Sequence, residues 1–124
     1  VVNIPKPTGP SDIRVRKLIT RLKKLSKETG KGIWRRVAED LLKPRRNRAE
    51  VPLHKIEKYV NDGDVVVVPG KVLSNGELTK KVTIIALSTS KEALEKIKKS
   101  GSEFISLYDV TGQEIQGKRT WIMR

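Results

Sequence analysis

Two short runs constrain this chain more than anything else in it: Val65-Val66-Val67-Val68 and Val82-Thr83-Ile84-Ile85-Ala86-Leu87. Strand side chains alternate between the two faces of a sheet, so a run almost without polar alternates has to be covered on both faces, the habit of parallel sheets. Turn residues bracket the first run, Asn61-Asp62-Gly63-Asp64 before it and Pro69-Gly70 after it, and Ser74-Asn75-Gly76 marks a further turn. Beyond the second run, Ala93, Leu94 and Ile97 keep helical spacing, Thr89 with Glu92 has the spacing of a capping box, and Gly101 ends the segment. Phe104 to Leu107 supplies a third strand. Strand, helix of about ten residues, strand is the pattern of a parallel crossover. The expected class is therefore α/β, a small and mainly parallel sheet with a crossover helix.

Ahead of the sheet the period is helical. Val15, Leu18, Ile19, Leu22 and Leu25 recur at steps of three and four up to Gly30 and Gly32, with Ser11 or Asp12 placed to cap. Ile33 to Leu42 repeats the period through Trp34, Val37, Ala38 and Leu41 until Pro44 stops it. A third helix of two turns fits Pro52 to Val60, with Leu53, Ile56 and Val60 inward. The organisation expected is an extended, Pro-rich arm over 1–10 and a single domain over 11–124. Within that domain we expect a basic helical part (11–60), an α/β core (61–110) and a tail (111–124) whose Trp121 and Ile122 pack onto the domain, so N-terminal helices and basic extensions complete the fold. The chain opens on Val1 and its Met stands at 123, so an initiator residue or a short tail is expected to be missing.

Charge is distributed as unevenly as hydrophobicity. The first forty-eight residues carry fifteen Lys/Arg against four Asp/Glu, and the remaining seventy-six carry twelve against ten, so nearly all of the net +13 lies at one end. Self-repulsion of that size favours a polyanionic partner, and nucleic acid is the first to consider. The chain has no Cys, which excludes disulfides, thiolate zinc sites and cysteine nucleophiles. Its apolar runs fall far short of the roughly 20 residues that span a bilayer, and no signal-type segment opens it, so no membrane partner is expected.

Lys43-Pro44-Arg45-Arg46-Asn47-Arg48 is the sharpest local signal, four cations in six residues without a carboxylate among them. Arginine's planar fork suits bidentate phosphate contact, so Lys43, Arg45, Arg46 and Arg48 are candidate RNA contacts. Arg14, Lys17, Arg21 and Lys24 form a second stripe on the first helix, and Lys31, Arg35 and Arg36 are candidates of the same kind. Lys71, Lys80 and Lys81 sit at strand rims, where phosphate contacts often arise. Lys118 and Arg119 adjoin Trp121, an indole able to stack on a base or to pack on the domain. Each cation has a plain alternative as solvated surface charge.

Catalysis finds no constellation. His54 is the single histidine, no Gly-x-Ser-x-Gly, His-Glu-x-x-His or Walker pattern is present, and Asp62 with Asp64 read as a polar turn rather than a cation site. The expectation is no enzyme, no catalytic residue, no metal, no cofactor and no small-molecule substrate. Five aromatics are too few for base-by-base reading of single strands. Two short helices meeting near Gly30 to Gly32 leave a DNA-binding helix-turn-helix as a second class.

Three strings, Lys43 to Val51 (KPRRNRAEV), Gly63 to Leu73 (GDVVVVPGKVL) and Gly76 to Thr83 (GELTKKVT), in this order and spacing resemble the archaeal and eukaryotic large-subunit ribosomal protein eighteen of the e type. The resemblance covers about residues 8 to 124 and is strongest to archaeal members. The Gly-Glu-Leu-Thr-Lys-Lys stretch is also similar to the bacterial large-subunit protein fifteen, which shares the fold. The resemblance implies a cytoplasmic, structural constituent of the large ribosomal subunit that binds and stabilises folded ribosomal RNA through Lys/Arg–phosphate contacts. It implies neighbouring large-subunit ribosomal proteins as further partners. Ser74-Asn75 and Ser100-Gly101-Ser102 depart mildly from the family's usual turn residues.

Overall fold

A computed structural model describes residues 13–42, 49–112, 114–115 and 118–123. The arm, the Ser11/Asp12 cap and the loop bearing Lys43, Arg45, Arg46 and Arg48 lie outside the described residues. In chain order the elements are α1 (Ile13–Thr29), α2 (Gly32–Leu41), β1 (Ala49–Pro52), α3 (Leu53–Tyr59), β2 (Val65–Leu73), β3 (Thr83–Thr89), α4 (Lys91–Lys99), β4 (Glu103–Ser106) and β5 (Thr120–Ile122). A 3-10 turn, Leu107–Asp109, follows β4.

The helices begin and end for local reasons. Gly30 adopts φ +71, a conformation that costs a residue with a Cβ, and its N–H bonds the Ser26 carbonyl at 2.9 Å, closing α1 and turning the chain toward α2. The capping box expected from Thr89 is corrected: Thr89 is the last residue of β3, paired opposite Val72, and Ser90 caps α4 by accepting the Ala93 N–H at 3.2 Å. Strand pairing claims the backbone of Thr89, and the next hydroxyl takes the cap.

All strand pairs are parallel, in the order β1-β2-β3-β4, with β5 also on β2. Since β3 occupies one edge of β2, the short strands β1 and β5 share the other, β5 opposite Val65 to Val67 and β1 opposite Gly70 to Leu73. The irregularity between Val68 and Lys71 falls at Pro69-Gly70, where proline has no N–H for the ladder. Gly70 also admits β1: a Cβ there would stand 2.0 Å from the Ala49 carbonyl oxygen.

The core divides by strand parity into two layers. Val65, Val67 and Ile85 face α1 and α2, whose Val15, Leu18, Leu22, Trp34, Val37 and Leu41 cover them with Leu107 and Val110. Val66, Val68, Val72, Ile84 and Ala86 face the other way, against Leu53, Ile56, Ala93 and Ile97 of α3 and α4. Every residue of Val65 to Val68 is fully buried, which is why the run needs no polar alternate. A helical layer on each face supplies that cover.

Candidate nucleic-acid interface

The cations of the helical layer differ in exposure and in how far they are engaged within the fold. On α1, Arg14, Lys17, Arg21 and Lys24 stand on one flank of the buried stripe. A second exposed row, Arg16, Lys23 and Lys27, occupies the opposite flank and was missed in the sequence reading, although helical spacing from the apolar residues reveals it. Lys24 reaches Glu28 at 4.0 Å and Arg35 reaches Glu39 at 3.5 Å, exposed pairs one turn apart that add little. Arg36 is exposed, and Lys31 is the residue at the head of α2.

Arg21 differs from its neighbours. Its guanidinium donates to the backbone carbonyls of Tyr108 and Val110, tying α1 to the segment after β4. Lys80 is similar: its Nζ donates to the carbonyls of Glu57 (2.8 Å) and Val60 (2.6 Å), satisfying open acceptors at the end of α3. Lys96, unremarked in the sequence, does the same for the β2–β3 connection, donating to Ser74 and Gly76 carbonyls at 2.9 Å each. Glu57 completes the clasp by accepting the Thr79 N–H and hydroxyl, bonds that hold its carboxyl below the ordinary value. Lys81 remains exposed, while its N–H donates to Asp62 at 2.9 Å.

Distant candidates meet at one end of the sheet. Thr83 and Thr120 both register with Val65, so Lys81 and the Lys118–Arg119 pair flank the 61–64 turn from either side. The carbonyl of Lys81 accepts the Gly63 N–H at 2.8 Å, and that of Arg119 accepts the Val65 N–H at 2.9 Å. Trp121 is half-buried, its indole N–H donating to Asp64 at 3.0 Å, and the Arg119 guanidinium lies over the ring, 4.7 Å from its centre. Asp64 also accepts the Asn61 N–H at 3.0 Å. Those two donors hold its carboxyl below the ordinary value against the opposing effect of burial, and the Arg119 charge adds to the lowering. Lys71 is exposed at the other end of β2, opposite Glu50.

The described residues gather no set of three His, Cys, Asp or Glu able to hold a metal, and His54 is exposed. Among them no helix is long and apolar enough to cross a membrane. Glu39 stands with Arg35 on the exposed face of α2, a carboxylate on the surface that a DNA-reading helix would turn toward phosphate.

Fold and surface together define a class: a parallel α/β domain with helices on both faces, whose solvent-facing chemistry is cationic. A family model described as ribosomal protein 60S L18 and 50S L18e matches residues 4–124. The chain belongs to this family of large-subunit ribosomal proteins, which are structural and not enzymes. It is 49% identical to the large ribosomal subunit protein eL18 of Sulfurisphaera tokodaii, over 94% of this chain and 96% of that one. It is 47% identical to eL18 of Sulfolobus acidocaldarius over 94% and 97% of the two chains, and 55% identical to that of Nanoarchaeum equitans over 75% and 77%.

Proposed function

We propose that the protein binds and stabilises folded ribosomal RNA in the large subunit through Lys/Arg–phosphate contacts, beside neighbouring ribosomal proteins. The observation that carries this reading is the pair of exposed cationic rows on α1, Arg14, Lys17 and Lys24 on one flank and Arg16, Lys23 and Lys27 on the other. One helix sets their spacing and its buried face is packed into the core beside Val65, Val67 and Ile85, so the surface meets its partner preformed. A-form RNA hides its major-groove base edges and exposes phosphates and 2′-hydroxyls, which a cationic surface of fixed shape recognises without an inserted helix. Lys31, Arg36, Lys71, Lys81, Lys118 and Arg119 extend the surface, and Lys43, Arg45, Arg46 and Arg48 belong to it by charge. Arg21 and Lys80 contribute chiefly by holding the fold, since their donors already serve backbone carbonyls.

Salt tests the reading. In filter-binding titrations against deproteinised large-subunit ribosomal RNA, log affinity should fall linearly with log salt, by about 0.7 to 0.9 per phosphate neutralised, giving a steep total for several contacts. A flat profile, or equal affinity for linear duplex DNA, would remove the proposal.

A further inference from the structure

We propose that Asp64 and Trp121 are positioning residues that hold Arg119 as a preset, two-pronged receptor for an RNA phosphate group. The inference rests on the RNA reading above and narrows it to one side chain.

Arg119 is fixed twice. Its carbonyl accepts the Val65 N–H at 2.9 Å, which anchors its backbone to the first residue of β2. Its guanidinium carbon lies 4.7 Å from the centre of the Trp121 ring, which anchors its head. The ring is fixed in turn, because its N–H donates at 3.0 Å to the Asp64 oxygen that also accepts the Asn61 N–H at 3.0 Å. Asp64 is buried, and its carboxylate oxygen braces the indole while its charge attracts the guanidinium over the ring.

No N–H of the Arg119 side chain donates to an acceptor among the described residues. That separates it from Arg21, bonded to two carbonyls, and from Arg35, paired with Glu39. An arginine fork matches two phosphate oxygens at once, and a fork held in place beforehand loses less freedom on binding than an unbraced one. Exposed Lys118 beside it and Lys81 across the 61–64 turn add attraction for an anion at the same end of the sheet. With the guanidinium on its face and its ring half-buried, Trp121 serves as a brace rather than as a platform for a base.

A double-mutant cycle on the full chain tests this, with deproteinised large-subunit ribosomal RNA as probe. Arg119→Ala should weaken binding about tenfold, and Arg119→Lys should recover little because an ammonium has no fork. Trp121→Leu should weaken binding about threefold with Arg119 present and not at all in the Arg119→Ala background, since its effect passes through the guanidinium. Should Trp121→Leu melt below the assay temperature, Trp121→Phe replaces it, with a smaller loss again confined to the Arg119 background. Salt-independent wild-type binding would sink the RNA reading itself. Salt-dependent wild-type binding would overturn this proposal alone if Arg119→Ala or Arg119→Lys binds like wild type, or if the Trp121 variant loses as much in both backgrounds.

Discussion

Asp64 shows how much one carboxylate can determine. It accepts the Asn61 N–H and the Trp121 indole N–H, closing the turn before β2 and docking β5 on the edge of the sheet. Both bonds favour its ionised form, which lowers its pKa from the ordinary 3.8. A carboxyl with a depressed folded value contributes stability that is complete above the unfolded value and is lost as pH falls through the folded one. Wild type should therefore melt above Asp64→Asn at pH 7, and the gap should close progressively below about pH 3.8 as protons reach the folded carboxyl; a gap constant down to pH 2 would contradict it. Lys80 and Arg21 carry the complementary lesson. Sequence marks them as cations of a basic chain, but nothing in Gly-Glu-Leu-Thr-Lys-Lys tells which lysine turns inward. That depends on where α3 ends, and the open carbonyls of Glu57 and Val60 decide it.

At the scale of elements, the long and strongly patterned segments were legible. The three helices before β2, the two buried runs and the crossover helix follow from period and punctuation because each carries enough residues to show its spacing. The strands β1 and β5 did not show, being four and three residues long, with Glu50 and Pro52 interrupting the first and Thr120 and Trp121 opening the second. Neither is a strand without β2 beside it. Gly70 is the residue that lets β1 approach, and Gly70→Ala would place a methyl 2.0 Å from the Ala49 carbonyl oxygen. Backbone on both sides leaves no flexible end to yield, so the variant should lose at least about 3 kcal/mol in urea unfolding, beyond the usual range for overpacking. A variant as stable as wild type would mean that β1 does not pair in this register.

Across the whole molecule, the proposed function assigns packing and recognition to different side chains, and substitutions should separate them. Ile85 is fully buried between Val67 and Ile105 and beneath the α1–α2 layer. Ile85→Asp buries a carboxylate without a partner, at a cost of several kcal/mol against a total stability of about 5–15 kcal/mol, and should abolish the cooperative melt followed by circular dichroism. Lys17→Glu with Lys24→Glu alters exposed positions only, and should leave the melting temperature within a few degrees while reducing association with ribosomal RNA in co-sedimentation. Arg21 is unsuited to that second test because its guanidinium ties α1 to Tyr108 and Val110. A folded Ile85→Asp protein, or a charge reversal that melts the domain yet sediments with RNA, would reverse the division.

The sequence by itself determined the class of fold, through two runs too apolar to leave either face uncovered, and the sign of the proposed partner, through a cationic end whose few carboxylates leave most of its charge unbalanced. It also determined the family, through strings whose order and spacing extend over most of the chain. The tertiary structure alone decided which cations are available to a partner. Whether a lysine or arginine meets solvent or an open carbonyl depends on chain brought in from elsewhere: Tyr108 and Val110 for Arg21, the end of α3 for Lys80, the indole of Trp121 for Arg119. Hydrophobic period is local and survives in a one-dimensional reading, whereas a hydrogen bond between residues eighty-seven positions apart, such as Arg21 to Tyr108, exists only once the layers have packed.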